Sequence, residues 1–199
     1  LKSKDIIKIQ QIWNKFKRDI YEGFYIDLNE NKQSLEFYNR RIYAYNYWEH
    51  YMKISAIMAN ADENKIYHIS EAGKNIGMSY MMANDIMDLG KDYEDIKNGR
   101  WTLPNQLAFE NLQGNDLEQF RIVFGNKNVT LEQLSSVAQK MVNMGIVEQC
   151  QRYFFSCCER ALEHLEAFEE SPQKRMIQYT ICAPFKNKCY RELSNRFGY

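Results

Sequence analysis

Three side chains near the middle of the chain have the types and spacing for metal chemistry. In Asn84-Asp85-Ile86-Met87-Asp88, positions 84 and 88 are four apart, and 85 and 88 are three apart. On a helix that spacing puts all three polar groups on one side. Two carboxylates and a carboxamide offer only oxygen donors, a set that suits a hard divalent cation such as Mg²⁺. Met81 and Gly77 share that side one and two turns earlier. A carboxylate at the C-terminal end of a helix opposes the helix dipole. An acidic end on an apolar, Met-rich helix is odd if it faces water and makes sense if it opens into a cavity, although this cluster alone favours the plainer reading. That plainer reading is a pair of ordinary surface carboxylates near a helix end.

Cationic groups stand on either side of this cluster. Lys91 follows it directly, and Asp95 and the run Asn98-Gly99-Arg100-Trp101-Thr102-Leu103-Pro104 come next, so a charged loop should close over the acidic end. The Lys91 ammonium is a compact positive charge of the kind that meets phosphate. Upstream, Lys53 lies in the mostly apolar stretch Tyr51-Met52-Lys53-Ile54-Ser55-Ala56. A lone lysine there commonly snorkels to water; one facing the interior needs a polyanion.

The other reactive side chains carry less. Five cysteines fall in the last 50 residues, Cys157 and Cys158 adjacent, and none forms a CxxC pair. They read as reduced core thiols rather than a disulfide framework or a zinc site. His50, His68 and His164 are scattered, without ligand spacing.

The elements that would position these groups are helical. Apolar residues recur at three-and-four spacing throughout, and no segment alternates as a strand. A first helix is expected over 5–22, interrupted from Gly23 to Asn31. Ser34 can cap a second helix running to about Asn60, with a polar loop from Asn60 to Tyr67. Ser70 can cap a third over 71–89, and Gly90 to Thr102 reads as a loop. Pro104 suits the first turn of a helix over 104–112, followed by a short one over 118–124. Thr130 and Gln133 form a capping box, and Gly145 ends the helix they start. Val147, Cys150, Phe154, Cys157, Ala161, Leu165 and Phe168 trace the next helix, and 172–199 a last one.

Composition narrows the class. The 199 residues carry 26 basic and 26 acidic side chains, which argues against nucleic-acid binding through a basic patch and against polybasic membrane attachment. Apolar residues at 45% suffice for one core, so residues 1–199 are expected to form a single helical domain. Three prolines and nine glycines do not suit a many-turned all-β chain. No apolar run reaches the roughly 18 residues of a membrane span. The chain starts at Leu1 without Met or a signal-peptide core, which suggests a fragment or trimmed chain, and the reduced cysteines suggest a cytoplasmic protein.

Taken in order, several segments resemble the trans-isoprenyl diphosphate synthases. Gly73-x-x-x-Gly77-x-x-Tyr80-Met81-Met82-Ala83-Asn84-Asp85-Ile86-Met87-Asp88 is similar to that family's second aspartate-rich motif, GxxxGxxFQIxDDxxD. Gly90-Lys91, Asp95 and Gly99-x-x-Thr102-Leu103-Pro104 resemble the tail that follows it, and Gly23-x-x-x-Asp27-Leu28 resembles GQxxDL. Lys53 falls where the family has the lysine of its Lys-Thr pair. The likeness spans roughly 15–185. It departs at Asn84 for Asp, Met81 for Gln, Ile54 for Thr and Phe24 for Gln, and the first DDxxD motif is absent from the chain.

The resemblance implies an all-α isoprenoid-synthase-type helical bundle, here without its first helices. It implies Mg²⁺-dependent ionisation of an allylic prenyl diphosphate and elongation with isopentenyl diphosphate. Asp85 and Asp88, with Asn84, would hold metal; Lys53 and Lys91 would contact diphosphate; Asp95 would complete the closing loop. Met81, Tyr80 and Tyr47 would line the prenyl cavity, or serve only in packing. A homodimer is implied, or a heteromer whose other chain supplies the first aspartate-rich motif. Alternatives on the same fold are a terpene cyclase, an aromatic or peptide prenyltransferase, and a non-catalytic helical partner subunit.

Overall fold

The computed structural model describes residues 2–29, 35–44 and 46–184, and every regular element among them is a helix. In order these are α1 (Ser3–Asn29), α2 (Leu35–Ala44), α3 (Tyr47–Met58), α4 (Glu63–Lys91), α5 (Glu94–Lys97), α6 (Leu103–Asn111), α7 (Gly114–Val123), α8 (Leu131–Asn143), α9 (Ile146–Leu165) and α10 (Pro172–Pro184). Among the described residues no helix is long and apolar enough to cross a membrane. The helices gather into two compact units. One holds α1, α2 from Asn39, α3, α4 as far as Tyr80, α9 from Phe155, and α10 to Ala183. The other holds α4 from Met81, α5 to α8, and α9 up to Phe154.

In the first unit α1 packs on α3. The Phe16 ring lies 5.1 Å from His50 and 5.7 Å from Tyr51, centroid to centroid. An interruption of α1 at Gly23 was expected, yet the helix runs through it. Phe16, Asp19, Gly23 and Ile26 are all buried at three-and-four spacing, so Gly23 belongs to the packed face. Burial of that face offsets the roughly 1 kcal/mol that a mid-helix glycine costs. The single second helix expected from the sequence is instead α2 and α3, divided before Asn46. Asn46 leaves helical geometry (φ −81°, ψ 86°), and its side chain accepts from the Glu49 N–H.

The same side chain donates to the Lys74 carbonyl at 2.5 Å, tying the start of α3 to α4. A methyl group on Gly77 would overlap the Asn46 amide, so only glycine permits this approach. Helix α4 starts seven residues before the expected cap, Ser70. Asp62 caps it, its Oδ1 accepting from the Lys65 N–H at 2.8 Å, and Ser70 is buried within the helix. Ser34 and residues 185–199, expected to cap a helix and to extend the last one, lie outside the described residues. So do the side chains of Asp27 and Leu28.

In the second unit α7 packs on α6 and α8. Trp101, Phe109, Phe120 and Phe124 form an aromatic cluster with centroid separations of 4.7 to 5.5 Å. The capping box is present: Thr130 Oγ1 accepts from Gln133 N–H, and Gln133 Oε1 accepts from Thr130 N–H. Leu134, Val137, Ala138 and Met141 are buried along α8. Helix α9 buries Ile146, Val147, Cys150 and Phe154 in this unit, and its later part buries Cys157, Cys158, Ala161 and Leu165 in the first. Full burial of a large apolar side chain in such a stripe is worth about 1.5–3 kcal/mol.

Candidate functional site

The second half of α4 is buried on most sides, through Met82, Ala83, Ile86, Leu89 and Gly90. Packing of Ile86 and Leu89 fixes the rotation of the helix about its axis. That rotation buries the Asp85 carboxylate, leaves Asp88 half-buried, and exposes Asn84. Asp85 is therefore no ordinary surface carboxylate. It lies near the buried Cys150 thiol of α9, which burial first and the Asp85 charge second push well above its ordinary value.

The chain after α4 folds back on this end. The Asp95 N–H donates to Asp88 Oδ2 at 2.9 Å. Asp95 is itself buried, and Arg100 donates to its Oδ1 from Nη1 at 3.1 Å. Two residues in the left-handed region make the reversal. Tyr93 (φ 59°) precedes α5 with its ring buried. Gly99 (φ 67°) has room for no side chain, since a Cβ there would meet the Gly125 Cα at 3.0 Å. The aromatic cluster anchors the far side of this loop through Trp101 and Phe124.

These contacts concentrate negative charge. The Asp88 carboxyl is pushed up to about 7. Burial is the largest cause and the Asp95 carboxylate the next; Asp92 and Asp85 add to it, and the Asp95 N–H opposes it. A group held in this way takes up a proton or a cation near neutral pH. The donors are hard oxygens, which fits Mg²⁺. Among the described residues no three His, Cys, Asp or Glu side chains gather closely enough to hold a metal alone. Mg²⁺ is ordinarily held by one or two carboxylates, with waters and substrate phosphates filling the other positions, and Asp85 with Asp88 suits that pattern.

The other expected residues are spread out. Lys91 is exposed on the last turn of α4, its Nζ 3.8 Å from Asp92 Oδ2. Met81 is half-buried and Tyr80 exposed. Tyr47 is exposed and stacks on Trp48 at 5.8 Å. Lys53 belongs to the first unit, where it is half-buried in a cleft of about 190 Å³ that also contacts Lys8, Ile57 and Glu63. Sequence reasoning gave no role to Arg100, which pairs with Asp95, or to Asn105 and Gln106. The amide oxygens of those two are buried in α6 with no hydrogen-bond partner among the described residues. Their one sequence signal was an Asn-Gln pair directly after the Thr-Leu-Pro turn.

Comparison with known proteins supplies the context. A model of the polyprenyl synthetase family matches residues 1–141. The chain belongs to this family. Geranylgeranyl diphosphate synthase of Methanosarcina mazei is 24% identical over 169 residues, covering 81% of this chain and 47% of that protein. Among solved structures, geranylgeranyl pyrophosphate synthetase from Pyrococcus horikoshii superposes with a TM-score of 0.84 at 20% identity, over 94% of this chain and 61% of that one. Geranylgeranyl pyrophosphate synthase from Corynebacterium glutamicum, in complex with isoprenyl diphosphate and magnesium, gives 0.82 at 16% identity, over 92% and 56%. The polyprenyl synthetase fold is thus shared across nearly all of this chain. The chain spans about half to three fifths of the length of these relatives.

Proposed function

We propose that this polyprenyl synthetase family member transfers prenyl groups: Mg²⁺-dependent ionisation of an allylic diphosphate, then elongation with isopentenyl diphosphate. The observation that carries the reading is the carboxylate pair at the end of α4: Asp85 is buried, and Asp88 is half-buried and held by the Asp95 N–H at 2.9 Å. Burial and the Asp95, Asp92 and Asp85 carboxylates also raise the Asp88 carboxyl, and a bound cation would relieve that crowding of charge. The family membership and the magnesium complex of the C. glutamicum relative support the same reading.

Asp85 and Asp88 would hold Mg²⁺, directly or through water, with Asn84 a neutral third donor. When bound, the cation neutralises the diphosphate and makes it a better leaving group. The protein's own part is positional. Packing of α4 aims Asp85 inward, and the Asp95 N–H holds Asp88 by one oxygen while leaving the other for a ligand. Arg100 moderates the repulsion of Asp95. Lys91 and Lys53 would meet diphosphate oxygens, and Met81, Tyr80 and Tyr47 would contact the prenyl chain. The protein would act as a homodimer, or with a chain that supplies the first aspartate-rich motif.

The test is release of diphosphate from an allylic substrate plus isopentenyl diphosphate by the natural protein, purified with any partner it binds. Release that needs Mg²⁺ and stops with EDTA is expected. No release across allylic substrates of different chain length would overturn the reading.

A further inference from the structure

His68 on α4 and His164 in the last turn of α9 are 96 residues apart in sequence, and both belong to the first unit. Their Nδ1 atoms approach to 3.1 Å. The rings are 5.3 Å apart and tilted by 54°. Each imidazole nitrogen carries either a proton or a lone pair. Two Nδ1–H groups would clash and two lone pairs would repel; the contact is satisfied when one Nδ1–H donates to the lone pair of the other ring, or when a metal ion takes the place of that shared proton and both lone pairs bind it.

The spacing also suits a metal. Two bonds of about 2.0–2.1 Å from imidazole nitrogens, at angles between octahedral and tetrahedral, span about 2.8–3.4 Å. The Tyr67 ring stands edge-on to both imidazoles, at 5.2 and 5.8 Å, and covers one side. Both histidines are half-buried rather than enclosed, which leaves room for water to complete a coordination shell. The C-terminal end of α9 adds a partial negative charge that favours a cation at His164.

We propose that His68 and His164 form a two-histidine chelate for a nitrogen-preferring divalent ion of the Zn²⁺, Co²⁺ or Ni²⁺ class, clamping α4 to α9. Imidazole pairs select such ions over Mg²⁺. The site shares no residue with the acidic end of α4 and takes a different class of metal. Binding to the folded chain alone would stabilise it.

The experiment uses the 199-residue chain stripped with EDTA at pH 7.5. Co²⁺ titration reads the ligand set by visible absorption, and Zn²⁺ titration reads thermal unfolding. Expected are one ion per chain, a spectrum without a thiolate charge-transfer band, and a rise in Tm that Mg²⁺ does not produce. Apparent Zn²⁺ affinity should fall roughly tenfold or more in His68→Asn and in His164→Asn. Independently of any variant's folding, Zn²⁺ should shift the imidazole nitrogen resonances of two of the three histidines in the wild-type chain and leave His50 in place. Equal affinity in the variants, a thiolate band, or unmoved histidine resonances would overturn the proposal.

Discussion

The main-chain N–H of Asp95 reaches across seven residues to Oδ2 of Asp88, 2.9 Å away. The bond fastens the loop after α4 to the acidic end of that helix. It also stabilises the ionised form of a carboxyl that burial and three neighbouring carboxylates make hard to ionise. The balance leaves Asp88 near 7, where a small change in its surroundings decides whether it holds a proton or a cation.

Asp88 should therefore give the metal-free protein a stability that depends on pH. Its folded value, about 7, lies above the ordinary value of about 3.9. Its contribution is complete below the ordinary value and is lost as pH rises through about 7. In EDTA, unfolding by urea should show the protein less stable at pH 8 than at pH 5, with about 2 kcal/mol coming from this group once solvent screening is allowed for. Asp88→Asn keeps an acceptor for the Asp95 N–H and should flatten that part of the profile. Adding Mg²⁺ at pH 8 should restore stability to the wild type and not to the variant.

His50 should act in the opposite direction. It is buried, and desolvation, the largest cause, lowers it below its ordinary value even though Asp19 Oδ2 is 3.6 Å from its Nε2. A lowered histidine contributes stability that is present above about 6.5 and lost as pH falls through its folded value. His50→Gln should remove this acid-side loss. Denaturation of both proteins between pH 5 and 7.5 checks it.

The Asn46–Gly77 contact predicts a coupled pair. Gly77→Ala should cost about 1–3 kcal/mol by overpacking against the buried amide, despite the better helix propensity of alanine. Asn46→Gly should cost about 1 kcal/mol through loss of the cap and the bond to Lys74. The double variant should be more stable than the sum of the two losses implies, because the small residue at 46 leaves room for the methyl group. Additive losses in urea denaturation would count against the contact.

Phe120 packs on Phe109 and Phe124 in the aromatic cluster and is fully buried. Phe120→Ala should cost about 3–5 kcal/mol. Because Trp101 and Phe124 of the same cluster flank the Gly99–Gly125 contact, the loop carrying Asp95 should loosen too. Hydrogen exchange at the Asp95 amide, measured in the variant under conditions where it stays folded, should rise more than exchange within α8.

The local signals were readable because they act over a few residues. The capping box at Thr130, the three-and-four stripe of α9, and the clustering of Asp85 with Asp88 all depend on spacing alone. What could not be read depends on contacts made at long range. Gly23 looks like a helix breaker until its neighbours Phe16, Asp19 and Ile26 turn out to be buried on the same face. Asn46 divides α2 from α3 because it is also held by Lys74, 28 residues on. Asp62 and Ser70 are both good caps, and the extra turns from Glu63 to Ser70 draw support from the buried Ile66. The approach of His68 to His164 leaves no trace in local spacing. At the site, exposure separates Asn84 from Asp85 although both lie in one motif, because the burial of Ile86 and Leu89 decides which side of α4 faces inward.

The most direct test of the acidic site is calorimetric titration of the chain with a non-reactive allylic thiodiphosphate, with Mg²⁺ and with EDTA. The account predicts binding that requires Mg²⁺ and is lost in Asp85→Ala/Asp88→Ala while far-UV circular dichroism is unchanged. Binding of equal strength without Mg²⁺, or in a folded double variant, would contradict it.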